Sequence, residues 1–85
     1  MDVGQGRKGF GRELFLLRFR QLKISQAEFA ERYGLTFGAV KDQEQNRHAP
    51  SKAMRVLVAA IELDPKLMER AAKVAADRAA ADSPQ

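Results

Sequence analysis

Between Gln26 and His48 the chain gathers side chains suited to a charged, hydrogen-bonding partner. They are the amides of Gln26 and Gln45, the hydroxyl of Thr36, the cations of Lys41 and Arg47, the carboxylate of Asp42 and the imidazole of His48. This set binds rather than cuts. Cys is 0, which excludes a disulfide framework and a thiolate metal site, and His 1 excludes a His-rich one. Asp42 and Glu44 stand two apart, so on a helix they face different directions and do not form an acid–base pair. Gly4, Gly6, Gly9 and Gly11 lack the preceding strand and the helix spacing of a phosphate-binding loop. The expectation is a non-enzyme with no metal and no cofactor.

Charge points to the partner. The 85 residues carry a formal net charge of +4, with 15 basic and 11 acidic side chains. Nine basic and five acidic residues fall within 12–56, whereas 57–85 are slightly acidic, with four against five. A basic excess confined to the first two thirds suggests a polyanion. Eighty-five residues make one small domain, too short for a multidomain enzyme. No window is apolar for the roughly 20 residues of a membrane span, and Met1 to Gly11 has no apolar signal region. A cytoplasmic protein with no membrane partner is expected.

Helices must position these side chains. Residues 1–11, with four glycines and Arg7 and Lys8, read as a flexible basic arm. It is either a strap over a phosphate backbone or a frayed terminus. From Arg12, the residues Leu14, Phe15, Leu16, Leu17, Phe19 and Gln21 make the broad apolar face of a helix of about three turns. Arg12, Arg18 and Arg20 are expected on its polar side, with an end near Lys23. Ser25 followed by Glu28 has capping-box spacing and opens a second helix, about Gln26 to Tyr33. Gly34 suits a left-handed C-cap. Thr36 caps a third helix, Phe37 to Gln45, with Val40 as its core residue and Asn46 as its end. Ser51 caps a fourth, Lys52 to Leu63, with a stripe of Ala53, Met54, Leu57, Ala60 and Ile61. Asp64-Pro65 opens a fifth, reaching about Ala80. No alternating β-branched run occurs, so the predicted fold class is all-α with five helices.

The second and third helices are separated only by Gly34-Leu35-Thr36. So tight a turn makes helices cross steeply. Ala30 is small where they approach, Gly34 supplies positive φ, and Leu35 and Val40 fill the wedge. These are the steric requirements of a helix-turn-helix.

The stretch resembles the helix-turn-helix of the Cro and phage-repressor family, the xenobiotic-response-element family of bacterial regulators. That pattern opens with Gln, with Ala four, Gly eight and a branched apolar residue fourteen positions on. Gln26, Ala30, Gly34 and Val40 stand at those offsets. Glu44 to Pro50 is similar to the family's Glu-x-Gly followed by basic residues and Pro. The Ser51 helix leading to Asp64-Pro65 is similar to an antitoxin-type subgroup. The resemblance covers about residues 12–67. It departs in three places. Gln43 replaces Trp or another apolar residue, which predicts a more polar or wetter corner. Asn46 replaces Gly. Phe19 stands near the position of an Arg that pairs with the Glu at Glu44, and Arg18 and Arg20 flank it.

The resemblance implies a repressor-like, five-helix domain that binds double-stranded DNA sequence-specifically. The third helix would enter the major groove by its N-terminal end. Helix starts at Gln26 and Thr36 would meet phosphates, with the Gln26 amide donating to a phosphate oxygen. Lys41 would reach a base edge or phosphate, Asp42 would accept from cytosine N4, and Gln45 would reach adenine or the backbone. Phe37 either touches a thymine methyl or half-fills the core. Gly38 lets backbone come close. Arg47 would add a phosphate contact, and His48 sits in the same loop. A third helix so poor in polar readers implies modest discrimination or reading of DNA shape.

One module this small makes few contacts, so a homodimer on a two-fold operator is expected. Residues 12–67 would form the DNA-binding domain and 68–85 a C-terminal helix and tail able to dimerise. Val58, Leu67 and Met68 are the apolar candidates for that surface. Two alternatives stand beside the repressor. One is an antitoxin that also binds a toxin protein; the other is a protein-interaction adaptor on the same fold.

Overall fold

The computed structural model describes residues 8–82. Residues 1–7 of the expected arm, and Ser83, Pro84 and Gln85 of the tail, lie outside the described residues. Five α-helices follow one another: α1 (Gly9–Leu16), α2 (Gln26–Tyr33), α3 (Phe37–Glu44), α4 (Lys52–Leu63) and α5 (Pro65–Asp82). A π-helical segment, Leu17–Leu22, continues α1. There is no strand among the described residues, as the all-α expectation requires. No helix among them is long and apolar enough to cross a membrane.

Local chemistry sets most of the boundaries. The hydroxyls of Ser25, Thr36 and Ser51 accept from the backbone N–H groups of Glu28, Ala39 and Met54, each at 3.0 Å. The Asp64 carboxylate accepts from Leu67 N at 3.1 Å, with Pro65 at the first helical position. Such caps satisfy N–H groups that the first turn leaves orphaned. Gly34 ends α2 at φ 74°, and both its N–H and that of Leu35 bond back to Ala30 O. A side chain at that φ would strain the turn, so glycine is required.

α1 begins earlier than the apolar pattern predicts. Gly9, Phe10 and Gly11 belong to the helix rather than to an arm, and Phe10 is buried in the core. Two long-range contacts explain this. Asn46, held left-handed at φ 56°, lends its amide to the start of α1: Gly11 N donates to Asn46 Oδ1 at 3.0 Å, and Asn46 Nδ2 donates to Lys8 O at 2.9 Å. A Cβ on Gly11 would lie 2.5 Å from the backbone oxygen of Glu44, so only glycine lets the two helices meet. The N-cap residue Lys8 makes no side-chain cap bond of its own.

The core joins Phe10, Leu14 and Leu17 to Phe29, Ala30, Tyr33, Val40, Val58 and Ile61. Val58 is fully buried and Met68 packs against the core, so of the three residues expected at a dimer surface only Leu67 lies exposed. Val58, four residues after Met54, completes the inner stripe of α4, whereas Ala53, expected on that stripe, is exposed. α5 is anchored to α2 by Tyr33 Oη donating to Pro65 O at 3.3 Å and by Arg32 beside Glu69 at 4.0 Å. Burial by itself would lower the Arg32 guanidinium pKa. The hydrogen bond to Glu28 and the charges of Glu69 and Glu28 outweigh that and raise it. Beyond Ala72 every described residue of α5 is exposed.

Candidate nucleic-acid interface

The candidate surface is built outward from one buried carboxylate. Glu44 lies four residues after Val40 and so falls on the same inward side of α3; it is fully buried. A charge there must be paired. Arg18 provides the pairing in bidentate form, Nε to Oε2 at 2.6 Å and Nη2 to Oε1 at 3.0 Å. Arg18 Nη1 also donates to Ile24 O at 2.9 Å. Gln26 Nε2 donates to Glu44 Oε1 at 3.0 Å. One carboxylate thereby ties together the π-helical segment, the linker before α2, the first residue of α2 and the last residue of α3. Arg18 is thus buried, not on the polar side of its helix as expected. Of the two arginines flanking Phe19, Arg18 pairs Glu44, while Phe19 lies exposed and stacked on Phe15 at 5.1 Å between ring centroids.

The opposite side of α3 turns away from this lock. Gly38, Lys41 and Gln45 are exposed and Asp42 is half-buried. A Cβ on Gly38 would meet nothing within 4 Å. Nothing inside the described chain therefore accounts for glycine there, although it costs the helix about 1 kcal/mol against Ala. Phe37 is 51% exposed and stands outside the core, at the start of the same helix. Thr36 is exposed with its hydroxyl oxygen engaged as the cap.

Thr36, Phe37, Gly38, Lys41, Asp42 and Gln45 all come from α3 and its cap, while Arg47 and His48 follow in the exposed turn after it. Two of the expected roles need revision. Arg47 Nη1 stands 3.5 Å from Asp42 Oδ1, so these two compete with any partner for each other. One N–H of the Gln26 amide is directed to Glu44, which leaves one donor rather than two for a phosphate. Gln26 itself is half-buried at the start of α2.

The corner around Gln43 is polar, as its residue type predicts. Its Oε1 accepts no hydrogen bond from the protein. The residues that sequence reasoning missed are Arg18 and Asn46. Arg18 carried a signal: it lies four after Leu14, so it shares the inward stripe, just as Glu44 shares that of Val40. Asn46 carried no signal beyond its tolerance of positive φ.

No protein-family model matches the chain, and neither a curated protein nor a solved structure does.

Proposed function

We propose that this chain is a DNA-binding transcriptional regulator of the repressor-like helix-turn-helix kind, acting as a repressor on a short two-fold operator. The observation that carries the reading is the bare outer face of α3. Gly38 has open space about it, and Lys41 and Gln45 stand exposed on a helix whose inner face is held by Val40 and Glu44. A major groove about 12 Å wide admits an α-helix presented in this way. The basic excess of residues 12–56 supports a polyanion partner. The Glu44 lock supports the reading further, because groups that read DNA must be held in place before it arrives. Gln26 keeps one N–H for a phosphate beside the start of α2.

The adaptor alternative has one observation on its side. Asp42 and Arg47 face each other, which removes net charge from the surface DNA would meet. Charge reversal separates the two readings. Lys41→Glu with Arg47→Glu abolishes retardation of a duplex taken from upstream of the gene while the helical circular-dichroism signal is kept. Unchanged duplex binding by that variant rules the proposed interface out.

A further inference from the structure

We propose that the outer face of α5 is a docking surface for a second copy of this chain, laid antiparallel to the first. This rests on the two-copy part of the repressor reading; of the residues expected at that surface it keeps Leu67, and it adds Arg70, Val74 and Asp77. The helix is held to the body by its inner side only as far as Met68 and Ala72. The ten residues 73–82 are exposed throughout. This stretch extends a helix already nucleated on the body and presents its sides to solvent.

Its outer side carries a seam. Leu67 is 51% and Val74 46% exposed. Leu67, Ala71, Val74, Arg78 and Ala81 are spaced four, three, four and three residues apart, the heptad alternation of a two-helix contact. Leu63, at the end of α4, precedes Leu67 by four residues and is 85% exposed.

The flanking charges choose both the partner and the direction. Arg70 stands just before Ala71 and Asp77 just before Arg78, the same flanking position in successive heptads. Neither has an ion pair among the described residues. In an antiparallel pair, Ala71 of one copy faces Val74 of the other, and Leu67 faces the stem of Arg78. That register brings Arg70 of each copy beside Asp77 of the other, twice by symmetry. A small residue then opposes a larger one at the centre. A parallel pair would set Arg78 against Arg78 in the seam and Asp77 across from Asp82, two like-charge contacts. This helix complements itself in the antiparallel direction alone.

Sedimentation equilibrium on the full chain tests the pairing. Leu67→Glu with Val74→Glu yields monomer, with the helical signal and unfolding temperature of the body kept. Arg70→Asp alone and Asp77→Arg alone each create two like-charge contacts and weaken the dimer roughly tenfold, while the double swap Arg70→Asp/Asp77→Arg regains the original affinity. A double swap as weak as the singles overturns the antiparallel register. A wild-type chain that stays monomeric at its highest soluble concentration overturns the docking surface. A monomer that still binds a half-operator duplex with steep salt dependence removes this pairing and leaves the DNA reading intact. A dimer that obeys the swap but ignores DNA does the reverse.

Discussion

Glu44 is the residue on which the arrangement turns. A fully buried carboxylate with an Arg18 fork and a Gln26 amide is stable only as a set. Arg18→Met alone, or Glu44→Leu alone, strands a buried charge and costs about 3–5 kcal/mol. The double variant replaces both with apolar groups and costs far less than the sum of the singles. Urea unfolding of the four proteins measures this, and additive losses contradict the pairing. Gly38 gives a prediction of the opposite sign. With nothing within 4 Å of its added Cβ, Gly38→Ala stabilises the fold by roughly 0.5–1 kcal/mol. In the proposed reading the same methyl comes between α3 and a duplex, so affinity for DNA falls. A variant that is more stable and binds DNA unchanged removes the reason offered for glycine at that place. Arg18 could be found by counting four from Leu14, but charge argued against the count. Its burial makes sense only with Glu44 opposite, 26 residues away. Pattern along one helix does not show a partner on another.

At the scale of elements, the helices whose starts depend on neighbours in sequence were legible, and the one that depends on a distant residue was not. Ser25, Thr36, Ser51 and Asp64 each accept from an N–H three residues on, so their helix starts can be read locally. Gly34 likewise declares its turn by its type. α1 has no such local cap. Its start is completed by Asn46, 35 residues beyond Gly11, and its glycines therefore resemble an arm. Two substitutions test this account. Asn46→Gly keeps the left-handed backbone but loses both side-chain hydrogen bonds to the start of α1, at a cost of about 1–2 kcal/mol. Gly11→Ala forces a Cβ to 2.5 Å from the Glu44 carbonyl oxygen and costs about 1–3 kcal/mol through displacement of α1 from α3. Thermal unfolding reads both. A neutral Gly11→Ala would mean that α1 does not lie this close to the end of α3. Val58 was legible in the pattern of its own helix. The expected stripe of α4 holds Met54, Leu57 and Ile61, and Val58, four after Met54 and three before Ile61, belongs to it as well.

The whole molecule divides its labour along the chain. The basic excess lies in 12–56, with the buried lock and the bare face of α3, while 57–85 carries a slightly acidic balance and a helix that runs past the body it packs on. In the proposed reading the basic half contacts DNA and the exposed helix joins two copies. The most direct test is a fluorescence-anisotropy titration with two duplexes, one from upstream of its own gene and one scrambled, each at about 50 and 200 mM salt. The native duplex is expected to bind roughly a hundredfold more tightly, with affinity for both falling steeply as salt rises. No binding to either duplex at the lower salt would contradict the DNA reading and would make a partner protein the target of this surface.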